Sequence, residues 1–109
     1  MATSEEIKSI FPEMVERLIP EKAEGVDVLI QFDLSGDNGG LYWVKIVDGT
    51  AESGEGVTDS PSMTLKASAD DWFAVSTGQL NAMSAFMSGK IKIQGDMGIA
   101  MKMQTMFAR

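Results

Sequence analysis

The sequence predicts an α+β domain with element order α-ββββ-αα-β-α, and three observations predict it. Apolar residues follow a helical spacing before Pro20, switch to strict alternation at Val26, and mix both periods after Pro61. Turn residues mark each change of period, at residues 35–40, at Asp48-Gly49, at Gly78 and at Gly89. The length of 109 residues fits one domain, 1–109, with a single core. There is no internal repeat and no low-complexity tract.

Thr3 or Ser4 caps the first helix, with Glu5 and Glu6 in its first turn where the helix dipole favours acid. Ile7, Ile10, Phe11, Met14, Val15 and Leu18 form its apolar stripe. Pro12 is expected to kink or restart this helix, and Pro20 to end it. Val26, Val28, Ile30, Phe32 and Leu34 alternate with Asp27, Leu29, Gln31 and Asp33, a strand with one buried face. After the turn at 35–40 (Ser-Gly-Asp-Asn-Gly-Gly), residues 41–47 are rich in β-branched and aromatic side chains and form a second strand. Asp48-Gly49 is a hairpin signal, and the small, polar residues 50–55 suit an edge strand. Met63, Leu65 and Ala67 alternate with polar neighbours as a fourth strand.

Residues 68–71 (Ser-Ala-Asp-Asp) cap a helix that runs through Trp72, Phe73 and Val75 to Gly78. Asn81 caps a short helix carrying Met83, Phe86 and Met87, closed by Gly89. Residues 90–94 alternate as a fifth strand with Ile91 and Ile93 inward. Asp96 caps a last helix from Met97 to about Ala108, so the fifth strand rejoins the sheet after a helical crossover.

Composition removes whole classes of chemistry. Without cysteine there is no disulfide, thiolate nucleophile or sulfur-based zinc site, and without histidine the commonest general base and metal ligand are missing. The net charge of −7 opposes nucleic acid as a partner. That charge is uneven: residues 1–88 carry five basic and fifteen acidic side chains, whereas Lys90, Lys92, Lys102 and Arg109 face only Asp96 in the remainder. No window reaches the ~18 apolar residues of a membrane span. Glu5 and Glu6 stand where a secretory leader is basic, and Phe107-Ala108-Arg109 does not match a Ser-Lys-Leu peroxisomal address. The expected compartment is the cytoplasm.

Familiar catalytic and nucleotide templates fail on single residues. Gly54-Glu55-Gly56 is followed by Asp59 where a dinucleotide fingerprint requires glycine. Gly89-Lys90 has Ser84 and Ile91 at the other two P-loop positions. Asp33, Ser35 and Asp37 imitate a calcium loop, but Asn38 replaces its glycine and Val44 its bidentate glutamate, which leaves a turn. Asp70 and Asp71 are adjacent on a helix, so they do not face each other, and capping accounts for them.

What remains is methionine. Six of nine lie between residues 83 and 106: Met83, Met87, Met97, Met101, Met103 and Met106. In the last helix Ile99, Met103 and Met106 form one stripe, and Met97 and Met101 a second. A helix on a single sheet needs only one apolar stripe. The second meets another element, a partner or a ligand, and methionine suits surfaces that fit several shapes. Methionines filling an irregular core give the same pattern, because periodicity does not separate a packed core from a lined cavity.

Residues 78–97 (Gly-Gln-Leu-Asn-Ala-Met-Ser-Ala-Phe-Met-Ser-Gly-Lys-Ile-Lys-Ile-Gln-Gly-Asp-Met) and the following Gly98-Ile99-Ala100-Met101-Lys102-Met103 resemble the signature of the sterol carrier protein 2 family of lipid-transfer domains. Its features are an Ala-Phe before a Gly-Lys-Ile-Lys-Ile strand, then Gly-Asp-Met and an amphipathic helix. Ala69-Asp70-Asp71-Trp72-Phe73 with Gly78, and Tyr42-Trp43-Val44 with Asp48-Gly49, resemble the family's Asp-aromatic helix and second-strand hairpin. The resemblance covers about residues 5–107, closest over 69–103. It implies a five-stranded mixed sheet covered by helices around a hydrophobic tunnel. It further implies non-enzymatic binding and transfer of a sterol, fatty acid, fatty acyl-CoA or phospholipid, with no cofactor.

On this resemblance the tunnel floor is Val28, Ile30 and Phe32 with Ile91 and Ile93, and the walls are Trp72, Phe73, Leu80, Met83, Phe86 and Met87. The last helix acts as a lid through Met97, Met101, Met103 and Met106, with Gln104 a polar contact at the mouth. Trp43 suits core or lining equally. The basic cluster at the C-terminal end is expected to attract an anionic head group or make transient contact with a membrane surface. Burying sixteen carbons at ~0.8 kcal/mol per methylene offers roughly 12 kcal/mol gross, before the cost of ordering the chain. The expected state is a monomer or weak homodimer. Two other classes stay open: a protein–protein or homodimerisation module using the second methionine stripe, and an enzyme with a carboxylate dyad such as Asp70 or Asp71 beside Asp96.

Overall fold

The computed structural model describes residues 2–107, apart from the side chain of Gln104, and contains each predicted element. These are α1 (Ser4–Glu16), β1 (Asp27–Ser35), β2 (Gly40–Val47), β3 (Thr50–Glu55), β4 (Met63–Ser68), α2 (Ala69–Ser76), α3 (Ala82–Met87), β5 (Ile91–Gly95) and α4 (Met97–Met106). Thr3 caps α1 in a reciprocal box: the Glu6 amide donates to the Thr3 hydroxyl at 3.1 Å, and the Thr3 amide to the Glu6 carboxylate at 3.0 Å. Ser68, Asn81 and Asp96 cap α2, α3 and α4 through amides of the first turn.

Three boundary expectations are corrected. Pro12 neither kinks nor restarts α1, which runs uninterrupted through it. Proline removes one donor from the ladder there, while burial of Ile7, Ile10, Phe11 and Met14 on the opposite side holds the helix on the sheet. The helix ends at Glu16, ahead of Pro20, which instead opens a single 3-10 turn over Pro20–Lys22. The last helix stops at Met106, because Phe107 is extended and pairs with Leu18 as an isolated bridge; Ala108 lies outside the described residues.

The sheet order is β3-β2-β1-β4-β5, and β3 and β5 form its edges. All pairings are antiparallel except β1 with β4, so the sheet is mixed. The β2–β3 hairpin turns at Asp48 and Gly49, with φ of +43° and +83°, which matches its right-handed twist. Register places Phe32 between Tyr42 and Leu65, and Ile30 between Val44 and Met63. All six are buried on the helix-covered face. Phe11 of α1 packs on Phe32 and Tyr42 at 5.0 and 4.5 Å between ring centroids, and Trp72 of α2 lies 5.4 Å from Phe32. Trp43 alternates onto the other face, half-buried, where its indole lies across Gly54 and leaves no room for a Cβ.

Gln31, also on that outer face, is the buried polar residue of β1. Its amide donates to the carbonyls of Tyr42 and Gly56, both at 2.9 Å. Its oxygen accepts from the Thr58 amide at 2.7 Å and the Thr58 hydroxyl at 2.8 Å. The connection from β3 to β4 is therefore pinned to the centre of the sheet, which lets β4 enter parallel to β1.

Candidate functional site

The helices cover the sheet unequally. The thirteen-residue α1 lies over β2 and β3, and α2 lies over β1 and β4. Only α3, six residues long, and α4, ten residues long, cover the β5 end. Two short helices leave a gap there, a cavity of about 690 Å³. That is within the ~300–1,000 Å³ typical of small-molecule sites. Trp72, Val75 and Ser76 line it at successive positions on one face of α2, and Leu65, Ile91 and Ile93 contribute from β4 and β5. Leu80, Met83 and Phe86 line the α3 side; Met97, Ala100, Met101 and Met103 line the α4 side. The lining is mainly apolar, and it reaches solvent, since Met83, Phe86, Met97 and Met101 are all exposed.

Of the residues expected from sequence, the structure brings together Trp72, Leu80, Met83, Phe86, Ile91, Ile93, Met97, Met101 and Met103 around this space. Ile30 and Phe32 lie away from it, fully buried under α1 and α2, because β1 is the central strand and the gap opens over β4 and β5. Val28, half-buried near the start of β1, does not line it either. Phe73 borders a second, smaller cleft between α1 and α2. Met87 is 79% exposed at the end of α3, and Met106 is 1% exposed within the core. The Gln104 side chain lies outside the described residues.

Sequence reading did not place Met14, Arg17, Leu65, Val75, Ala100 and Phe107 in the lining. Met14 and Leu65 read as core positions of α1 and β4, and nothing periodic marks Arg17, which follows the end of α1. Arg17 is the basic residue among those lining the cavity. Its guanidinium is 3.6 Å from the Glu13 carboxylate, with both side chains substantially exposed, so the pair is a weak one. Lys90, Lys92 and Lys102 are exposed and outside the lining, and Arg109 lies outside the described residues.

Polar chemistry in the cavity is sparse. Asp70, Asp71 and Asp96 are not among its lining residues. Asp70 accepts from the Ala2 amide at 3.2 Å and the Asn38 side chain at 2.9 Å, while Asp96 caps α4. Among the described residues no group of three acidic, histidine or cysteine side chains is placed to hold a metal ion. No helix of the described residues is long and apolar enough to cross a membrane.

The chain is 30% identical over 104 residues to hydroxysteroid dehydrogenase-like protein 2 of Bos taurus, matching 94% of this chain and 25% of that protein. It thus spans about a quarter of the length of this relative. Its fold matches palmitated SCP2L2 from Aedes aegypti with a TM-score of 0.77 at 23% identity, over 99% of this chain and 97% of that one. It also matches the sec-alkylsulfatase Pisa1 from Pseudomonas sp. with a TM-score of 0.79 at 18% identity, over 91% of this chain but 16% of the sulfatase. The same fold therefore occurs both alone and as one part of a larger protein. The model of the SCP-2 sterol transfer family matches residues 11–108, nearly all of the sheet and its helices, and the chain belongs to that family.

Proposed function

We propose that the protein holds the apolar part of a lipid, whether sterol, fatty acid, fatty acyl-CoA or phospholipid, in a tunnel formed by this cavity, and carries it without transforming it. The observation that carries this reading is the 690 Å³ apolar space whose rim is built from exposed methionines. An exposed Met97, Met101 and Met83 beside an open cavity is costly in water, and an alkyl or ring system in contact with them relieves that cost. Unbranched methionine side chains adjust to the outline of the cargo, so the lining does not require one shape. Arg17 at the rim offers a guanidinium to an anionic head group. The palmitated state of the Aedes aegypti protein supports a fatty acyl cargo.

The cavity needs no catalytic group for this task, and the reading assigns this chain no reaction of its own. Longer relatives such as hydroxysteroid dehydrogenase-like protein 2 would use such a unit to deliver or hold a substrate. Native mass spectrometry of freshly purified protein tests the proposal. A co-purified lipid mass supports a carrier. A doubled protein mass with no lipid supports the alternative, in which the methionine stripe of α4 joins two copies of the chain.

A further inference from the structure

One polar atom of the cavity wall has no use within the protein. Trp72 is 94% buried, and its indole Nε1–H meets no acceptor among the described residues. The side chain is held firmly: α2 is capped by Ser68, and the indole packs against Phe32 at 5.4 Å. An indole N–H buried without a partner costs on the order of a lost hydrogen bond, which is why buried tryptophans nearly always find one. The other polar side chains of the wall do not supply it; the Asn81 oxygen, for instance, accepts from the Ser84 amide. A phenylalanine would fill the same place without this cost.

Resting on the carrier reading above, we propose that Trp72 donates its Nε1–H to a neutral acceptor oxygen carried within the apolar part of the cargo. That oxygen is a ketone, an ester carbonyl or a hydroxyl. A neutral oxygen loses less than an ionised one on entering an apolar lining. The cation of the lining, Arg17, belongs to α1 and is partly exposed, which suits it to a charged end instead. The site therefore distinguishes an oxygenated lipid from a plain hydrocarbon tail of the same length. Selection arises because a lipid lacking the oxygen leaves the N–H unpaired, and one with the oxygen misplaced buries a second unpaired group.

The test uses octadecanoate and a series of keto-octadecanoates with the ketone moved along the chain, titrated into the native protein and Trp72→Phe. One keto position is expected to bind about three- to tenfold tighter than octadecanoate to the native protein, and Trp72→Phe removes that advantage. The 15N-labelled indole resonance of Trp72 in the native protein shifts downfield with that isomer and not with octadecanoate, a readout that does not depend on the variant folding. If octadecanoate binds but every keto isomer binds equally or more weakly and the indole resonance does not respond, the Trp72 assignment is overturned while the carrier reading stands. If none of these lipids binds, the carrier reading fails and this inference fails with it.

Discussion

The backbone amide of Ile19 donates to the carbonyl of Met106 at 2.7 Å, tying the end of α4 to the segment that follows α1. The Leu18–Phe107 bridge reinforces the same junction. The lid helix is thus fixed at its C-terminal end, and at the other it is held by the Asp96 cap on the Gly98 amide at 2.8 Å. Met101, midway and 64% exposed, lines the cavity from a helix that cannot swing outward at Met106. Met101→Trp should therefore narrow the cavity rather than displace α4. Octadecanoate affinity is expected to fall about tenfold, with octanoate less affected and stability changed by under ~1 kcal/mol, because the site is exposed. Isothermal titration with both acids, alongside urea unfolding, checks this. Undiminished octadecanoate binding would contradict the role given to α4.

Gln31→Ala deletes four hydrogen bonds and leaves the carbonyls of Tyr42 and Gly56 and both groups of Thr58 without their partner. Since these groups are only partly buried, water recovers some of them, and the expected loss is about 2–3 kcal/mol in urea unfolding. The loop from β3 to β4 should also show accelerated amide exchange. A loss below ~0.5 kcal/mol would mean that the loop is held by other contacts.

Periodicity and capping made the fold legible. Alternation from Val26 marks β1, and Ser68, Asn81 and Asp96 cap the helices where their residue types indicate. Boundaries were less legible because they depend on distant residues: α4 stops where Phe107 meets Leu18, a contact no local pattern encodes. Gln31 looked like an outward polar residue, and only the returning loop explains its burial. In the candidate site, the α3 and α4 methionines and the α2 tryptophan stood out, whereas Arg17 enters the lining solely because of how α1 packs. Ile30 and Phe32 share an inward face with Leu65, yet alternation does not say which strand lies beneath a gap; strand order does.

Arg17→Gln separates charge from tail burial. If its guanidinium meets an anionic head group, octadecanoate affinity falls about two- to fivefold while octadecanol affinity is unchanged, a modest effect because an exposed cation is screened. Adding salt to the native protein should reproduce part of the loss. An equal loss for acid and alcohol would assign Arg17 to the shape of the cavity instead.

Tyr42 is the single tyrosine of the chain, so its ionisation can be followed directly by phenolate absorbance. Burial raises its pKa above the usual 10.0, the nearby Glu55 carboxylate raises it further, and Lys8 opposes them. The folded state thus holds the phenolic proton more tightly than the unfolded chain. This contribution to stability is complete below pH ~10 and is lost as pH rises through the folded-state pKa. Tyr42→Phe should flatten the alkaline decline in unfolding free energy, and Glu55→Gln should bring the phenol's midpoint closer to its ordinary value. A native midpoint at or below 10.0 would contradict the burial of this ring.

Transfer to a membrane, if it uses the cavity mouth, should depend on Lys90, Lys92 and Lys102. All three are exposed, and none forms an ion pair among the described residues. Lys92 stands directly opposite Lys66 across β4 and β5, a like-charge pairing that disfavours the sheet locally and concentrates positive potential at its edge. The rest of the chain is strongly acidic, so an anionic bilayer approaching from any other side is repelled. Replacing all three lysines by glutamine should slow transfer of a fluorescent fatty acid to phosphatidylserine-containing vesicles by about tenfold, discounted from ~1 kcal/mol per lysine for screening. Transfer to zwitterionic vesicles, and affinity for the free fatty acid, should not change. If both vesicle types slow equally, the lysines act on the fold or the mouth and not on the membrane.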